Sequence, residues 1–571
     1  MLPRYVMLYR KAGDQMTSLF FVLFFQEAHG SEDLVLNTAM SEMDRVYRFL
    51  QTQEKPAYWV GIGIHEVQNL ILQASNGAAS SPDLEHRRHL DIDLRVGNYQ
   101  LDNTHPIIDG SYFDEPTHFS YPFPISDDEK TITDALYFGL DDAYRTSLRR
   151  LIKIESNSSL KVERDDSSDD FSKAEALTHL EDITELSVPV PDWQEALSQC
   201  SEIFLEKEAI FDSMTSIHAQ QKIRWFISTE GTQVREVRNH FRLVVMAKTI
   251  ADDGMDLMSY EYLDFTDASA IDIDKTCQDL SAQAITKIET LRTAPLIDPY
   301  VAPAILHGRA AAVFFHEILG HRVEGSRFKN ENDGQTLTDK VGELIFPPFI
   351  QIADDPTVAN YGNTDLNGHY RVDDEGVKAQ RVSIVEDGEL KQFLMSRSPI
   401  EGFSHSNGHG RREMGLAPVA RQGNLFVSSS QSVSYPELKK RLIEEINAQD
   451  KEFGLIFDDI SGGFTFTGRT TPNSYVVKPV TVWKVYPDGR EEMVRGVDMI
   501  GTPLLTFSRI IATSDREQVF NGTCGAESGW VPVSAIAPDI LVKEVEVQRR
   551  KKSNDRPPIL SKPAAEKEPS R

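Results

Sequence analysis

The amino-acid sequence predicts an α+β fold, and three observations support this. Its 571 residues exceed what one ordinary hydrophobic core organises, so we expect two or more domains. Helix-like and strand-like patterns alternate up to about residue 295. Beyond the stretch 310–325 the chain is rich in strand patterns. We therefore predict an N-terminal α/β domain over 31–295 and a C-terminal strand-rich domain over 296–547.

Helical and strand patterns alternate along the N-terminal domain. Apolar residues recur at helical spacing in four segments, which predicts helices over 31–51, Thr131–Ile154, Asp192–Lys207 and Asp274–Ala294. Residues 57–98 alternate apolar and polar side chains, as in "HLDIDLRVG", and "IRWFISTEGTQVREVRNHFRLVVMAKT" continues the strand pattern. Residues 157–176 are dense in serine and charge, so we predict a flexible charged loop there.

Two Asp-Gly pairs indicate tight turns in the C-terminal domain. Asp387-Gly388 separates "RVSIVE" from "ELKQFL", and Asp488-Gly489 separates "TVWKVYP" from "REEMVRGV". Because glycine at the second turn position accepts a positive φ, each pair predicts a β-hairpin.

Both ends of the chain differ in composition from the rest. Residues 1–30 combine basic residues, a short apolar stretch and a small-x-small site. This fits either a signal peptide, which would imply export, or an extended start with Met16 as the true initiator. Residues 548–571 are basic and poor in apolar side chains, so we predict a disordered tail.

Charge and cysteine content argue against several classes of function. With 60 Lys and Arg against 88 Asp and Glu, the formal net charge is −28, which repels phosphate backbones, so we expect no nucleic-acid partner. No apolar run reaches the length of a transmembrane span. The three cysteines are too few for a disulfide framework, and Cys200 and Cys277 follow helical spacing typical of packing residues.

The segment "AAAVFFHEILGHRVEG", residues 310–325, carries the strongest chemical signal. The run from Ala310 to Leu319 is apolar apart from His316 and Glu317, which predicts a buried helix. A buried imidazole and carboxylate need partners, and a second histidine, His321, follows within the motif. The alternative interpretation is a core histidine bonded to a carbonyl beside a paired glutamate.

The spacing of the two histidines departs from the zinc-protease motif H-E-x-x-H. Five positions apart on a regular helix, His316 and His321 would lie roughly 140° from one another. They can share a metal only if the backbone near Gly320 leaves α geometry. Either a π-type turn or a helix end with Gly320 in a left-handed conformation would do so.

A catalytic zinc site usually takes three protein ligands, so a third must come from elsewhere in the chain. Cys524, between Gly522 and Gly525 in "NGTCGAESGWVPV", is the best candidate because nothing around it is periodic and the glycines allow a tight turn around a thiolate. The alternative is that Cys524 is a small buried hydrophobe.

Five motifs, in chain order, resemble the TldD/PmbA metalloprotease family: "HEILGHRVEG", "GHYRVDDEGVKAQRVSIVEDGELKQFL", "GHGRRE", "SGGFTFTG" and "GTCGAESGWVPV". The likeness runs from about Ser31 to Val547. By this resemblance His316, His321 and Cys524 are zinc ligands and Glu317 is the catalytic carboxylate, as in the active, TldD-like branch. Residues 322–326 depart from the family's usual sequence after the second histidine.

The resemblance implies an α+β chain with a mixed N-terminal domain and a strand-rich, β-barrel-like C-terminal domain. It implies an enclosed cavity formed in a dimer, either a homodimer or a heterodimer with a family paralogue. Substrates would be unfolded polypeptides or short peptides, bound as extended strands. The family is cytoplasmic, whereas a signal peptide would place the chain in the periplasm.

The favoured function is that of a zinc-dependent metallopeptidase in which Glu317 deprotonates the zinc-activated water. His409, Arg411 and Arg412 in "NGHGRRE" either hold the substrate backbone or carboxylate, or form a solvated charged turn. One alternative function is a non-catalytic partner or scaffold subunit that keeps a structural metal. Another is a zinc hydrolase acting on a non-peptide amide, which would use the same residues.

Overall fold

The computed structural model describes residues 33–107, 115–158, 167–329, 335–465 and 474–550. Within these residues the α-helices are α1 Leu34–Leu50, α2 Glu129–Ser158, α3 Val190–Glu202, α4 Ile273–Thr293, α5 Gly308–Ile318, α6 Tyr435–Ala448 and α7 Pro503–Phe507. The first four coincide with the four helices predicted from apolar spacing. Asp33 and Asp272 cap α1 and α4, where each carboxylate accepts a backbone hydrogen bond.

The N-terminal domain is built on one eight-stranded sheet. Its strands are β1 Ala57–Ser75, β2 Ala78–Ala79, β3 Asp83–Val96, β4 Phe119–Phe123, β5 Thr178–Leu180, β6 Asp212–Ser228, β7 Gln233–Ile250 and β8 Asp256–Phe265. The central order is β4-β3-β1-β6-β7, and β5 and β8 both pair with β7.

The first four helices cover one face of this sheet. Ile62 of β1 packs in a cluster with α1 and α2, and Leu70, farther along the same strand, packs with α3 and α4. Side chains an even number of positions apart on a strand share a face, so both clusters lie on the same side. On the opposite side, Tyr262 of β8 donates its hydroxyl to the Asn521 carbonyl at 2.6 Å. That side faces the C-terminal domain.

The C-terminal domain contains a twelve-stranded sheet and two short hairpins. Its strands are β9 Tyr300–Leu306, β10 Ile350–Asp354, β11 Asn360–Tyr361, β12 Thr364–Asp365, β13 Val382–Glu386, β14 Glu389–Leu390, β15 Gly410–Arg411, β16 Val419–Ala420, β17 Asn424–Ser429, β18 Ser432–Val433, β19 Gly454–Thr465, β20 Tyr475–Val485, β21 Glu491–Val494, β22 Val497–Gly501, β23 Ile510–Ala526 and β24 Gly529–Arg549. The predicted α+β class with a strand-rich C-terminal region is confirmed.

Strand pairing closes part of this sheet on itself. The order β24-β22-β20-β19-β9 returns to β24, because β9 pairs with β24 as well as with β19. This closed circuit agrees with the barrel-like architecture implied by the family resemblance. Both predicted hairpins are present, with Gly388 and Gly489 at φ 78° and 86° in their turns.

The predicted flexible loop over 157–176 is wrong for its second half. Phe171 is buried against Trp59 and Phe226. The Asp170 carboxylate accepts a hydrogen bond from the Asp102 N–H at 2.9 Å. Residues 170–172 are therefore packed in the protein, because one aromatic side chain anchors a segment whose average composition is polar. Residues 159–166 lie outside the described part of the chain.

Cys200 and Cys277 are buried as predicted, but they form a disulfide that joins α3 to α4 across 77 positions. Their role as simple packing residues is therefore corrected. Each cysteine lies on the buried face of its helix, and the pairing follows from how the two helices pack, which neither local pattern contains.

The termini are covered only in part. The predicted signal peptide or extended start, residues 1–30, lies outside the described residues, as do residues 551–571 of the predicted tail. The tail prediction is wrong for its first residues, because Gln548 and Arg549 pair with β22 at the end of β24. The domain boundary near residue 295 stays a prediction. No helix in the described residues is long and apolar enough to cross a membrane.

Candidate metal centre

Helix α5 brings the first two candidate ligands into the protein interior. Its residues from Ala310 to Ile318 are all buried. Two side chains of the C-terminal sheet hold its first turn, since the Gly308 N–H donates to Asp539 Oδ1 at 2.8 Å and the Arg309 N–H donates to Gln518 Oε1 at 3.0 Å. These bonds satisfy helix-end donors that α5 cannot satisfy itself. The position of His316 is thus fixed by the sheet.

The helix ends immediately after the first histidine and the glutamate. Regular α geometry stops at Ile318, Leu319 has φ −108° and ψ −52°, and a 3₁₀ turn covers Gly320–Arg322. This change of direction brings the His316 and His321 rings to a centroid distance of 5.2 Å. The predicted departure from α geometry is confirmed as a helix end. Gly320 is not left-handed, so that route is wrong.

Gly320 is needed because another side chain occupies the space beside it. A Cβ at this position would overlap the amide group of Gln422, which is itself buried. The Gln422 Nε2 donates a long hydrogen bond of 3.4 Å to the His316 carbonyl. The glycine therefore allows Gln422 to contact the backbone that carries the first histidine.

Cys524 completes a cluster of three potential ligands. It lies on β23, which runs antiparallel to β24, and its Sγ is 3.3 Å from His321 Nε2. Ligand atoms of His316, His321 and Cys524 all lie within 4.8 Å of one another. The predicted tight turn around Cys524 is wrong, because the chain turns farther on, where Gly529 has φ 82°.

The chemistry of this donor set fits a zinc ion. Thiolate and imidazole are ligands that Zn²⁺ takes in proteins. Among the described residues, the buried Nδ1 atom of His316 has no hydrogen-bond partner. Burial alone would raise the pKa of the Cys524 thiol, but His321 and His316 have the larger effect and bring it well below its usual value. Burial lowers the pKa of His316 and His321, but the Cys524 charge outweighs it and raises both, so metal binding at this site would release protons.

Glu324 holds His321 from the side away from the thiol. Its Oε2 is 3.1 Å from His321 Nδ1 and accepts a hydrogen bond of 2.9 Å from Arg327 Nε. Burial raises the pKa of Glu324, but His321, Arg327 and Arg421 bring it well below its usual value. A charged Glu324 keeps the proton on Nδ1 and leaves Nε2 free to bind a metal.

Arg421 links this support to the third ligand. Its guanidinium lies 3.4 Å from Glu324 Oε1 and donates a hydrogen bond of 2.7 Å to the Cys524 carbonyl. Arg421 is fully buried, so both contacts are shielded from water. The orientation of His321 and the position of β23 are therefore coupled through one side chain.

Glu317 is the carboxylate closest in sequence to the cluster and lines the same cavity. Burial raises its pKa above the usual value, against the opposing effect of His316 and His321. Gly463 of β19 gives it room, since a Cβ there would lie 3.0 Å from Glu317 Cγ. The side chain is placed to exchange a proton with a molecule in the cavity.

The cluster opens into a cavity of about 800 Å³ between the two domains. Helix α5 contributes one face, β8 contributes Tyr260 and Tyr262, and β19 and β23 contribute further walls together with residues of β7, β20 and β24. A volume of this size is ordinary for a ligand site. The residues of the metal cluster and Glu317 are therefore accessible to a molecule bound there.

The substrate contacts predicted for "NGHGRRE" are not supported, because none of the three residues lines this cavity. His409 is fully buried and lies 3.3 Å from Asp354. Arg411 donates to the Gln422 carbonyl, and the Arg412 side chain is buried near Asp91. Each side chain thus has a partner inside the protein.

Sequence reasoning missed the residues that support the ligands. Glu324 is one of the residues that depart from the family pattern. Its position three residues after His321 is the one signal that could have suggested a local pair. Arg421 and Gln422 carry no such signal, because they reach the site through tertiary contacts alone. Tyr262 of the N-terminal domain, which donates a hydrogen bond to the Asn521 carbonyl, also reaches the site through a tertiary contact.

We expect Glu324→Gln to lower zinc affinity about 10- to 100-fold, because the amide cannot hold the His321 proton as the carboxylate does. A chelator competition titration measures this. Glu527→Gln is the matched control, because Glu527 pairs with the same Arg327 but is 43% exposed. Equal affinities in the two variants would show that Glu324 does not position His321.

Gly320→Val is expected to lose most bound zinc while the rest of the chain stays folded. The branched side chain would displace Gln422 and disturb the backbone between the two histidines. Zinc analysis and circular dichroism measure the two properties. Gln422→Ala is the control. Gly320→Ala adds only the Cβ that overlaps the Gln422 amide, so the double variant Gly320→Ala/Gln422→Ala, which removes that amide, should bind more zinc than Gly320→Ala. Full zinc content in Gly320→Val would contradict the assigned role of the glycine.

Comparison with known proteins gives similarities that point to one family. Residues 299–549 match a family model described as the PmbA/TldA metallopeptidase C-terminal domain. A protein of Haemophilus influenzae named Metalloprotease TldD homolog is 28% identical over 250 residues, 43% of this chain and 48% of the relative. A Saccharolobus solfataricus protein named Zinc metalloprotease TldD homolog is 24% identical over 281 residues, 48% and 57% of the two chains. The chain thus spans about half the length of these relatives.

A solved structure extends the similarity to nearly the whole chain. The crystal structure of TldE from Thermococcus kodakarensis aligns with a TM-score of 0.58 at 13% identity, covering 89% of this chain and 100% of that one. At this identity the likeness concerns the fold. Together the matches confirm the family resemblance that the motifs predicted.

Proposed function

We propose that this chain, whose residues 299–549 belong to the PmbA/TldA metallopeptidase family, is a zinc-dependent peptidase that hydrolyses unfolded polypeptides or short peptides. One observation carries the proposal. Two imidazoles and one thiol converge within 4.8 Å beside a buried carboxylate, on the wall of a cavity large enough for a peptide segment. The names of the curated relatives support the same activity.

His316, His321 and Cys524 would hold the zinc ion. When bound, zinc acts as a Lewis acid that polarises a carbonyl and lowers the pKa of water. Glu324 and Arg421 keep the ligands oriented, His321 through its Nδ1 and Cys524 through its backbone carbonyl. The protein thus holds the ligand atoms in place, and the ligands would release protons when the metal binds.

Glu317 would perform the proton transfers. A water molecule that attacks a peptide carbonyl must lose a proton, and the Glu317 carboxylate lies on the cavity wall to accept it. The departing amine then needs a proton, which the same carboxylic acid returns. Burial limits competition from bulk water for this proton.

Two strand edges line the cavity and would accept an extended substrate. In the described residues, the stretch 517–526 of β23 pairs only with β24, and the stretch 459–465 of β19 pairs only with β20. Apart from the carbonyls of Asn521 and Cys524, which accept bonds from Tyr262 and Arg421, backbone groups on the other edge of each stretch are available to a peptide strand. Main-chain bonding of this kind tolerates many sequences.

The scaffold alternative shares the metal ligands with the peptidase but gives Glu317 no catalytic role. A scaffold subunit with a structural metal has no use for a proton-accepting carboxylate on the cavity wall, so the position of Glu317 favours the peptidase. Assembly as a homodimer, or as a heterodimer with a family paralogue, is part of the proposal. A hydrolase for non-peptide amides would use the same residues.

Incubation of the zinc-loaded protein with a mixture of unfolded peptides tests the function. Mass spectrometry of the products should show new termini that are absent when the chain carries Glu317→Gln. Zinc-loaded protein that leaves every peptide intact, alone and with a family paralogue, would overturn the peptidase proposal and favour the scaffold role.

A further inference from the structure

One face of α5 extends from the metal cluster to a basic side chain. Arg309, Val313, His316 and Glu317 all line the cavity, and their spacing of four, seven and eight positions places them on the same side of the helix. Seven residues of α-helix rise about 10 Å, which is the length of roughly three residues of an extended peptide. Arg309 therefore marks the far end of a substrate-sized stretch.

The guanidinium of Arg309 is held only loosely by other protein groups. Among the described residues its buried Nε has no hydrogen-bond partner, it lies 3.5 Å from Asp459 Oδ1, and the guanidinium carbon lies 4.9 Å from the centre of the Tyr262 ring. Asp459 is bonded elsewhere, since its Oδ1 accepts a hydrogen bond of 2.9 Å from the Ile460 N–H and its Oδ2 accepts one of 2.8 Å from Lys287. The side chain of Arg309 is 27% exposed, so an acceptor in the cavity can reach it.

The other arginines of the cavity each hold carboxylates at close range. Arg242 makes a bidentate contact with Asp264, at 2.6 and 2.8 Å. Arg327 contacts Glu324 at 2.9 Å and Glu527 at 3.1 Å. Among the cavity arginines in the described residues, Arg309 is thus the one whose carboxylate contact is long, at 3.5 Å, so its guanidinium is the best placed to bind a ligand.

We propose that Arg309 is a specificity-determining residue that binds a carboxylate of the substrate about three residues from the cleaved bond. The guanidinium fork matches a carboxylate in a bidentate arrangement, and the partial burial of Arg309 strengthens the contact. The Tyr262 ring, whose centre lies 4.9 Å from the Arg309 guanidinium carbon, helps to keep the fork in place. The carboxylate is either the C-terminus of a short peptide or an acidic side chain. This inference rests on the proposed function and names its substrate class.

Binding measurements separate this inference from the catalytic proposal. The protein carries Glu317→Gln so that no peptide is consumed. The probes are fluorescent peptides of one sequence. One pair differs in having a free or an amidated C-terminus, and the other pair differs in having Glu or Gln three residues from the centre. We expect a carboxylate-bearing probe to bind roughly 10- to 100-fold more tightly than the neutral probe. Adding Arg309→Gln should bring this ratio close to one, and Arg309→Lys should retain part of it.

The control is Arg145→Gln, which removes an arginine from the exposed surface of α2 and should leave the ratio unchanged. A preference for the free terminus alone identifies the terminal carboxylate, and a preference for Glu alone identifies a side chain. Equal binding of acidic and neutral probes, no binding of either, or a ratio that survives Arg309→Gln would overturn the inference. Cleavage without a carboxylate preference would defeat this inference alone, whereas Arg309-dependent binding without cleavage by the zinc-loaded chain would defeat only the proposed function.

Discussion

Replacement of Glu317 by glutamine is expected to preserve the fold and the zinc content and to slow peptide hydrolysis at least ~100-fold. The amide has nearly the same shape as the carboxylate, so packing against Gly463 should not change. It cannot accept the proton of an attacking water molecule, so the chemical step loses its base. The measurement is kcat/KM on a quenched fluorescent peptide, together with zinc analysis of the same samples.

The matched control for this result is Glu527→Gln. Glu527 lines the same cavity, but it is 43% exposed and paired with Arg327. Its loss should lower kcat/KM by less than about tenfold, the order of one exposed ion pair. If Glu317→Gln keeps the activity of the unchanged protein, the proton transfer belongs to another group and the proposed mechanism is wrong.

Cys524→Ser is expected to remove most of the bound zinc, and the peptidase activity with it. A serine hydroxyl stays protonated at neutral pH and is a poor zinc ligand, whereas the thiol beside two imidazoles is readily ionised. The change is small in volume and lies within a paired strand, so the chain should remain folded. Zinc per chain after dialysis should fall from about one to a small fraction.

The two other cysteines provide the control. Cys200 and Cys277 are bonded to each other on α3 and α4, in the core of the N-terminal domain. The double variant Cys200→Ser/Cys277→Ser should keep its zinc, although it loses a stabilising cross-link. Loss of zinc in this double variant, or its retention in Cys524→Ser, would remove Cys524 from the ligand set.

Local sequence patterns predicted much of the fold because they depend on neighbouring residues. Helical spacing located α1 to α4, and the pair Asp387-Gly388 located a hairpin, since each signal is complete within a few positions. The spacing of His316 and His321 predicted that the helix must be interrupted, because the geometry of a regular helix is fixed.

Features set by tertiary packing could not be predicted in this way. The Cys200–Cys277 bond depends on how two helices pack, and Phe171 anchors a segment whose composition resembles a flexible loop. Arg421 reaches Glu324 and the Cys524 carbonyl from a distant part of the chain. The proposed ligands and base were therefore readable from the sequence, whereas the side chains that orient them were not.

The residues that contact a substrate in the cavity could not be predicted from local sequence either. The sequence "NGHGRRE" suggested a binding role, but packing buries the side chains of His409, Arg411 and Arg412. The sequence gives no signal that marks Arg309 as a binding residue, since a single arginine before an apolar helix is ordinary. Its significance comes from a partly exposed guanidinium, 3.5 Å from Asp459, on the same helix face as the metal cluster.

The most direct test of the metal site is X-ray absorption at the zinc edge, measured on the zinc-loaded chain and on Cys524→Ser reloaded with zinc. The spectrum of the unchanged chain should contain one sulfur ligand together with nitrogen ligands from imidazole. The sulfur contribution should be absent from Cys524→Ser. A spectrum without sulfur in the unchanged chain, or one that Cys524→Ser leaves unaltered, would contradict a zinc ion held by His316, His321 and Cys524.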